Sequence, residues 1–410
     1  MNPFKTASHY IKIAVVLFLV SALYGWLMRL SSVVNISHFN YTRFLQSHSH
    51  VTFLGWGYIG ITTLFNYLFL NKEKQFNKKF KSIFGIEIAS ICLMLISFPL
   101  QGYKVFSIVL LSIFLITSYV YIQQFIKHMD TQRISKPVSL FIKSSLFFYI
   151  LSSAGIWAIG IVIASQGKTD LYYNSIYFYL HFLYNGFFVF ALFGLFFHYL
   201  KKQNIALNQE HLYRLFWITF STCTPAYILS LVGTNSKYII GIGILTAGIQ
   251  LISVWYLVLI ISSIKNKLHK LLSLSTQLLL ASVILAYVLK LVLQFSSAFP
   301  QLSEHILALK TYFVIGYIHL VTLGFLSPFL LFLLIQFELI SIKNKLNKVG
   351  IFLFLIGVFL TETLLFTQGN LVWFFNYSLP NYSELLFSAS SILLVGILSF
   401  LMLKFNNKTR

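Results

Sequence analysis

Apolar residues in this chain gather in stretches of about 20 residues, long enough to cross a hydrocarbon core of about 30 Å as a helix. Lipid offers no partner for a free backbone N–H or C=O, so such stretches are helical. The pattern predicts spans at 10–30, 47–70, 81–100, 104–127, 138–165 and 174–200 in the first half. In the second half it predicts 212–234, 238–263, 269–296, 307–338, 347–368 and 382–404. Connectors such as Asn71–Lys81, Lys127–Pro137 and Ser341–Lys348 are short and punctuated by charge, Asn, Gly or Pro. The expected fold class is an all-α integral membrane protein with about twelve transmembrane helices, a single polytopic domain over 1–410.

Charge fixes an orientation. A formal net charge of +21 would point to nucleic acid in a soluble protein, but these cations sit in connectors. Of the 30 Lys and Arg residues, 23 fall on the side shared by both termini and the connectors after even-numbered spans, and the rest, with Lys290 near the outer end of span 9, fall on the other. A missed or invented helix would scramble that alternation. The positive-inside rule therefore places both termini in the cytoplasm, in a bacterial cytoplasmic (inner) membrane. The lipid bilayer is the expected partner and nucleic acid is not. The apolar run ending at Leu30 is too long for a signal peptide and lacks a small-residue cleavage site, so it reads as the first span. Cys92 and Cys223 lie on different spans with no CxxC and no Cys/His cluster, which argues against a disulfide or a thiolate metal site.

Of 11 histidines, His9, His38, His128, His198, His211, His269 and His305 lie at span ends or in connectors and read as solvated or interfacial. His48 and His50 in span 2, His181 in span 6 and His319 in span 10 remain. All four belong to even-numbered spans, and His50, His181 and His319 lie at depths of roughly 5–20 Å below the outer face. Ionisable groups at that depth are costly and usually face the bundle interior with a function. Their surroundings are similar. Span 2 reads Ser47-His48-Ser49-His50-Val51-Thr52-Phe53-Leu54-Gly55-Trp56-Gly57, and span 6 reads Tyr179-Leu180-His181-Phe182-Leu183-Tyr184-Asn185-Gly186. Span 10 reads Gly316-Tyr317-Ile318-His319-Leu320-Val321-Thr322-Leu323-Gly324. Gly55, Gly57 and Gly60 would admit either a flat group or a neighbouring helix. Aromatics and glycines around an imidazole suit a porphyrin buried between helices. The plainer reading is three unrelated histidines bonded to helix carbonyls or to Ser/Thr neighbours.

With these motifs the chain resembles the catalytic subunit of the heme–copper oxidase and nitric oxide reductase superfamily (cytochrome c oxidase subunit I-like). That subunit is a twelve-helix bundle with both termini inside. The resemblance implies a heme b whose ligands are His50 or His48 on span 2 and His319 on span 10, with Gly55, Trp56 and Tyr317 beside it. His181, followed by Tyr184 and Asn185, matches the helix that supplies a ligand to copper or non-heme iron, so these three are the candidate metal residues. Two departures matter. Tyr317 stands where the family has its high-spin heme histidine, and span 7 has Gly233-Thr234-Asn235-Ser236-Lys237-Tyr238 where a His pair is needed. His181 alone cannot hold copper or iron, which need three or more good ligands. The resemblance thus implies a degenerate member that kept the low-spin heme and lost the binuclear centre. It leaves the catalytic residues unassigned and the enzyme question open. The implied role is electron transfer, or a redox or gas (nitric oxide, oxygen) response, in a respiratory chain. A five-coordinate heme on His319 would be the gas-binding variant. No CxxCH is present, so a cytochrome or quinone donor would be a separate component.

Two other classes compete. One is a cofactor-free twelve-helix transporter, favoured by the basic loop Lys72–Lys81 but not by the short central connector Lys201–His211 or the scarcity of broken helices apart from Pro225 and Pro328. The other is an enzyme with His181, Tyr184, Asn185 and Tyr317 around a metal. Glu87 and Glu362 are the carboxylates well inside apolar runs, and Gln101-Gly102-Tyr103 after Pro99 reads as a turn on the heme-bearing side.

Overall fold

Ten helices among the described residues are long and apolar enough to cross a membrane, so the chain is an integral membrane protein of the all-α class. The computed structural model describes residues 2–132, 134–231 and 236–405. Two predicted spans fall outside those ten for physical reasons. The helical run Tyr41–Phe69 is continuous, but His, Ser, Thr, Asn and Gly dilute its apolar content. The seventh span is a 15-residue helix that ends before Pro225, where a 3₁₀ turn, Pro225–Ser230, takes over. Proline cannot donate to the preceding turn and clashes with it, which ends the α-helix there.

The chain packs as two compact units, Met1–Arg133 with Leu330–Arg410 and Ile134–Phe329. The first unit begins with α1 (Pro3–Leu30), which starts on Pro3 with Asn2 accepting from the Phe4 N–H at 2.9 Å. Next come α2 (Tyr41–His50), a π-helical segment Val51–Tyr58 and α3 (Ile59–Phe69). The helices α4 (Lys78–Gln101) and α5 (Val105–His128) then form an antiparallel pair. Between them Gly102 has φ 68° and ψ −150°, a region open essentially to glycine alone. Along this unit α1 lies on the Tyr41–Phe69 run, and Phe18 stacks on Trp56 at 4.8 Å and 14°.

In the second unit α6 (Lys136–Gln166) packs on α7 (Asp170–His181), on the π segment Phe182–Phe188 and on α8 (Val189–Lys202). Glycines set the approach. A Cβ on Gly186 would fall 2.3 Å from Phe148 Cβ, and one on Gly155 would fall 2.7 Å from the Tyr179 N. The helices α9 (Gln209–Cys223), α10 (Lys237–Leu271) and α11 (Leu274–Ser296) complete the wall. After α12 (Pro300–Ala308) come α13 (Phe313–His319) and a π segment, Leu320–Leu326, which packs on α11. Phe141, Phe148, Phe190, Phe216 and Phe220 interlock as the aromatic core, with ring centroids 5.1–6.3 Å apart among contacting pairs.

Helix α14 (Ser327–Gln336) leads back into the first unit, where α15 (Lys345–Phe375) and α16 (Tyr382–Leu398) cross closely. Gly357 faces Leu393 backbone and Gly396 faces Phe354 backbone, the small-residue packing that brings membrane helices together. A short ladder, β1 (Ile340–Ser341) with β2 (Lys404–Phe405), ties the end of α14 to the end of the described chain.

Candidate functional site

Three π-helical segments occur among the described residues, and each begins immediately after one of the membrane-depth histidines. His50 ends α2, His181 ends α7 and His319 ends α13. A π turn inserts one extra residue per turn, shifting the faces of the residues before and after it, and such segments recur at functional sites. The residues following each histidine are buried. This is so for all of Val51–Tyr58 and Phe182–Phe188.

In the first unit the two span-2 histidines face different elements. His48 turns its ring onto α1, where a Cβ on Gly25 would lie 3.0 Å from the ring Cε1. Its Nδ1 stands 2.7 Å from the Ser21 carbonyl, which can only accept, so Nδ1 carries the proton and Nε2 keeps a lone pair. The Ser21 hydroxyl bonds the His48 carbonyl at 3.0 Å and also meets Thr52 Oγ1. Thr52 in turn donates to the same carbonyl at 2.7 Å. A ring nitrogen fixed by a backbone carbonyl, with the other left basic, is how metal-binding imidazoles are held. Arg29, one turn beyond Gly25 on α1, carries its charge close enough to act on both His48 and the buried Glu362 of α15.

His50 turns to α4. It stacks on Phe98 at 4.9 Å and 16°, and its Nε2 pairs with the Tyr103 hydroxyl. The turn at Gly102 brings Tyr103 to His50. The His50 Nδ1 is buried with no partner. Trp56 is fully buried against Phe18. Gly55 admits α1, since a Cβ there would meet Leu17 at 3.0 Å. Of the two uses the sequence left open for this glycine, the structure displays helix approach. Glu87 of α4 accepts from Tyr58, the last residue of the π segment, at 2.8 Å.

In the second unit His181 is spoken for on both nitrogens. Nε2 donates to the Cys223 carbonyl at 2.8 Å, and Nδ1 accepts from Asn185 Nδ2 at 3.1 Å. That carbonyl is free for His181 because Pro225 breaks α9, and Tyr227 N–H bonds Thr224 instead. Tyr184 stacks on Phe188 at 6.3 Å and lies within electrostatic reach of Tyr317. His319 and Tyr317 are half-buried. The Ser327 hydroxyl donates to the Thr322 carbonyl at 2.7 Å, an acceptor that the Ser327 backbone N–H also reaches at the end of the π segment. Among the described residues no group of three His, Cys, Asp or Glu side chains could hold a metal ion. The Gly233-Thr234-Asn235 part of the span-7 motif lies outside the described residues, while Lys237 begins α10.

Sequence reasoning missed Lys290. Its place in the charge pattern was near the outer end of span 9, yet it is 2% exposed and lines a polar cavity with Asn185 and Gln250. The available signal was a lone cation inside an apolar run. No protein-family model matches the chain, and no curated protein matches it.

Proposed function

We propose that this chain is a b-type heme membrane protein built on an oxidase-like plan of twelve spans, with both termini cytoplasmic, in a bacterial inner membrane. Its role is electron transfer or a redox or gas response. The observation that carries the reading is the His48 imidazole, whose Nδ1–H is fixed by a backbone carbonyl and whose Nε2 lone pair is left for a ligand. The residues fit the group, because a neutral imidazole held in one tautomer is an axial ligand for heme iron. His50, whose Nε2 is engaged by Tyr103, supports the fold on the α4 side, so His48 is the span-2 ligand. Arg29, whose charge bears on His48, would supply a cation for a propionate. His319 enters on the resemblance and on the π segment that follows it. Bound heme contributes a one-electron couple. The protein's part is to orient the imidazole, keep it neutral and exclude water. His181 lacks the ligand set of a binuclear centre, so oxygen or nitric oxide reduction is not part of the proposal.

Reduced-minus-oxidised visible spectra of the purified protein and of His48→Ala, His50→Ala and His319→Ala test this. Low-spin b-type bands lost in His48→Ala and His319→Ala but kept in His50→Ala are expected. A colourless wild-type protein, expressed with adequate heme supply, overturns the reading and brings the cofactor-free transporter forward.

A further inference from the structure

The second unit contains a small polar cavity that the heme reading does not use. Asn185, Cys223, Gln250, Ser253, Tyr287 and Lys290 line it, drawn from a π segment and three helices, with room for about one water molecule. Lys290 is 2% exposed, and no carboxylate is among the lining residues. Its amine stands 5.5 Å from the centroid of the Tyr287 ring. An amine at this depth needs solvation from somewhere, because a bare charge in a bundle core is costly.

The hydrogen bonds fix what the cavity offers. The Cys223 carbonyl can only accept, so His181 Nε2 carries a proton and Nδ1 does not. The atom of Asn185 beside Nδ1 must then be its NH₂, which leaves Asn185 Oδ1 as an acceptor with no donor. In the lining Gln250 Oε1 also has no donor, and outside it Gln294 Oε1, one turn beyond Lys290, has none. Asn185, Gln250 and Gln294 are 7%, 6% and 6% exposed. An acceptor-rich lining disfavours an anion. It suits an ammonium, and it suits water that accepts from the amine and donates to an amide oxygen. A fixed carboxylate would hold the amine charged, and a purely apolar lining would hold it neutral. Amide oxygens with water accommodate both forms. The titratable groups facing Lys290 are His181 behind Asn185, Cys223 on α9 and Tyr287 on α11, while α8 contributes Val189 and α10 an amide and a hydroxyl.

We propose that Lys290 is a proton-exchange site, taking up and releasing a proton through water held between its amine and Asn185 Oδ1. On uptake an N–H bond forms at Nζ as an O–H bond of that water breaks, and the water oxygen takes a replacement proton by exchange with solvent water; release runs the same exchange in reverse. This site is independent of heme.

Solid-state NMR of ¹⁵N-lysine-labelled protein in lipid nanodiscs tests it. The Lys290 resonance is the one lost in Lys290→Arg. It should exchange magnetisation with water and convert between ammonium and amine shifts across the pH range in which the protein stays folded. Asn185→Leu, which keeps the lysine and removes the acceptor, should weaken the water contact and move the midpoint. A Lys290 signal without water contact, or in one charge form throughout, overturns the proposal. So does a signal indifferent to Asn185→Leu.

Discussion

Substituting Gly357 by alanine should separate α15 from α16. A Cβ at that position would lie 2.5 Å from Leu393 Cα and 2.6 Å from Leu393 N, against an optimal separation of about 3.5–4.0 Å. The obstacle is backbone, so no side-chain rotamer relieves it, and the helices must part by roughly 1 Å. Overpacking of this kind costs about 1–3 kcal/mol, and a backbone obstacle puts Gly357→Ala in the upper half of that range. Alanine regains about 0.5–1 kcal/mol of helix propensity, leaving a net loss of about 1–2.5 kcal/mol. Gly85 in α4 is the matched control, since nothing lies within 4 Å of its Cβ position. Gly85→Ala keeps the propensity gain of about 0.5–1 kcal/mol without the clash. Unfolding of each variant in mixed micelles, titrated with SDS and followed by circular dichroism, measures the two changes against wild type. Opposite signs are expected. Gly357→Ala at or above wild-type stability would refute the close crossing and the small-residue argument behind it.

Gly396→Ala meets Phe354 N at 2.4 Å in the same crossing, so its effect combined with Gly357→Ala should be markedly less than additive in the same titration. Tyr58→Phe removes the donor to the fully buried Glu87 and should cost about 1–3 kcal/mol; adding Glu87→Leu should recover much of that loss. Gly102→Ala forces a strained backbone at φ 68°, with an expected cost of about 1–3 kcal/mol, and should displace Tyr103 from His50, visible as a loss of the short tyrosine–histidine contact in NMR. Pro225→Ala lets α9 continue and reclaim the Cys223 carbonyl, so the His181 Nε2–H resonance should lose its hydrogen-bonded shift.

Much of the architecture was legible because lipid makes its demands through composition. Long apolar runs and flanking cations gave the helices at nearly their observed ends, as in Lys78–Gln101 and Val105–His128. Span 2 was found as an apolar window that fits the alternation of charge, although its polar residues leave it outside the ten strongly apolar helices. The positions of His50, His181 and His319 were legible. The π segments behind them were not, since an extra residue per turn leaves no mark in hydropathy. The proposed preference for His48 over His50 needed three dimensions. It rests on Ser21 and Gly25 of α1 against Phe98 and Tyr103, groups far apart in sequence. His181 shows the same limit. Pro225 could be read as a break, but not that the released carbonyl would meet an imidazole 42 residues away. Lys290 looked like one more topological cation because nothing local announces an amide-lined cavity.

The most direct test of the central claim is a pyridine hemochrome assay on the purified protein, with His48→Ala and His50→Ala run beside it. Stoichiometric heme b in the wild type and in His50→Ala, and none in His48→Ala, is the predicted result. Heme retained by His48→Ala and lost from His50→Ala would contradict the ligand geometry, and absence of heme from all three would contradict the account itself.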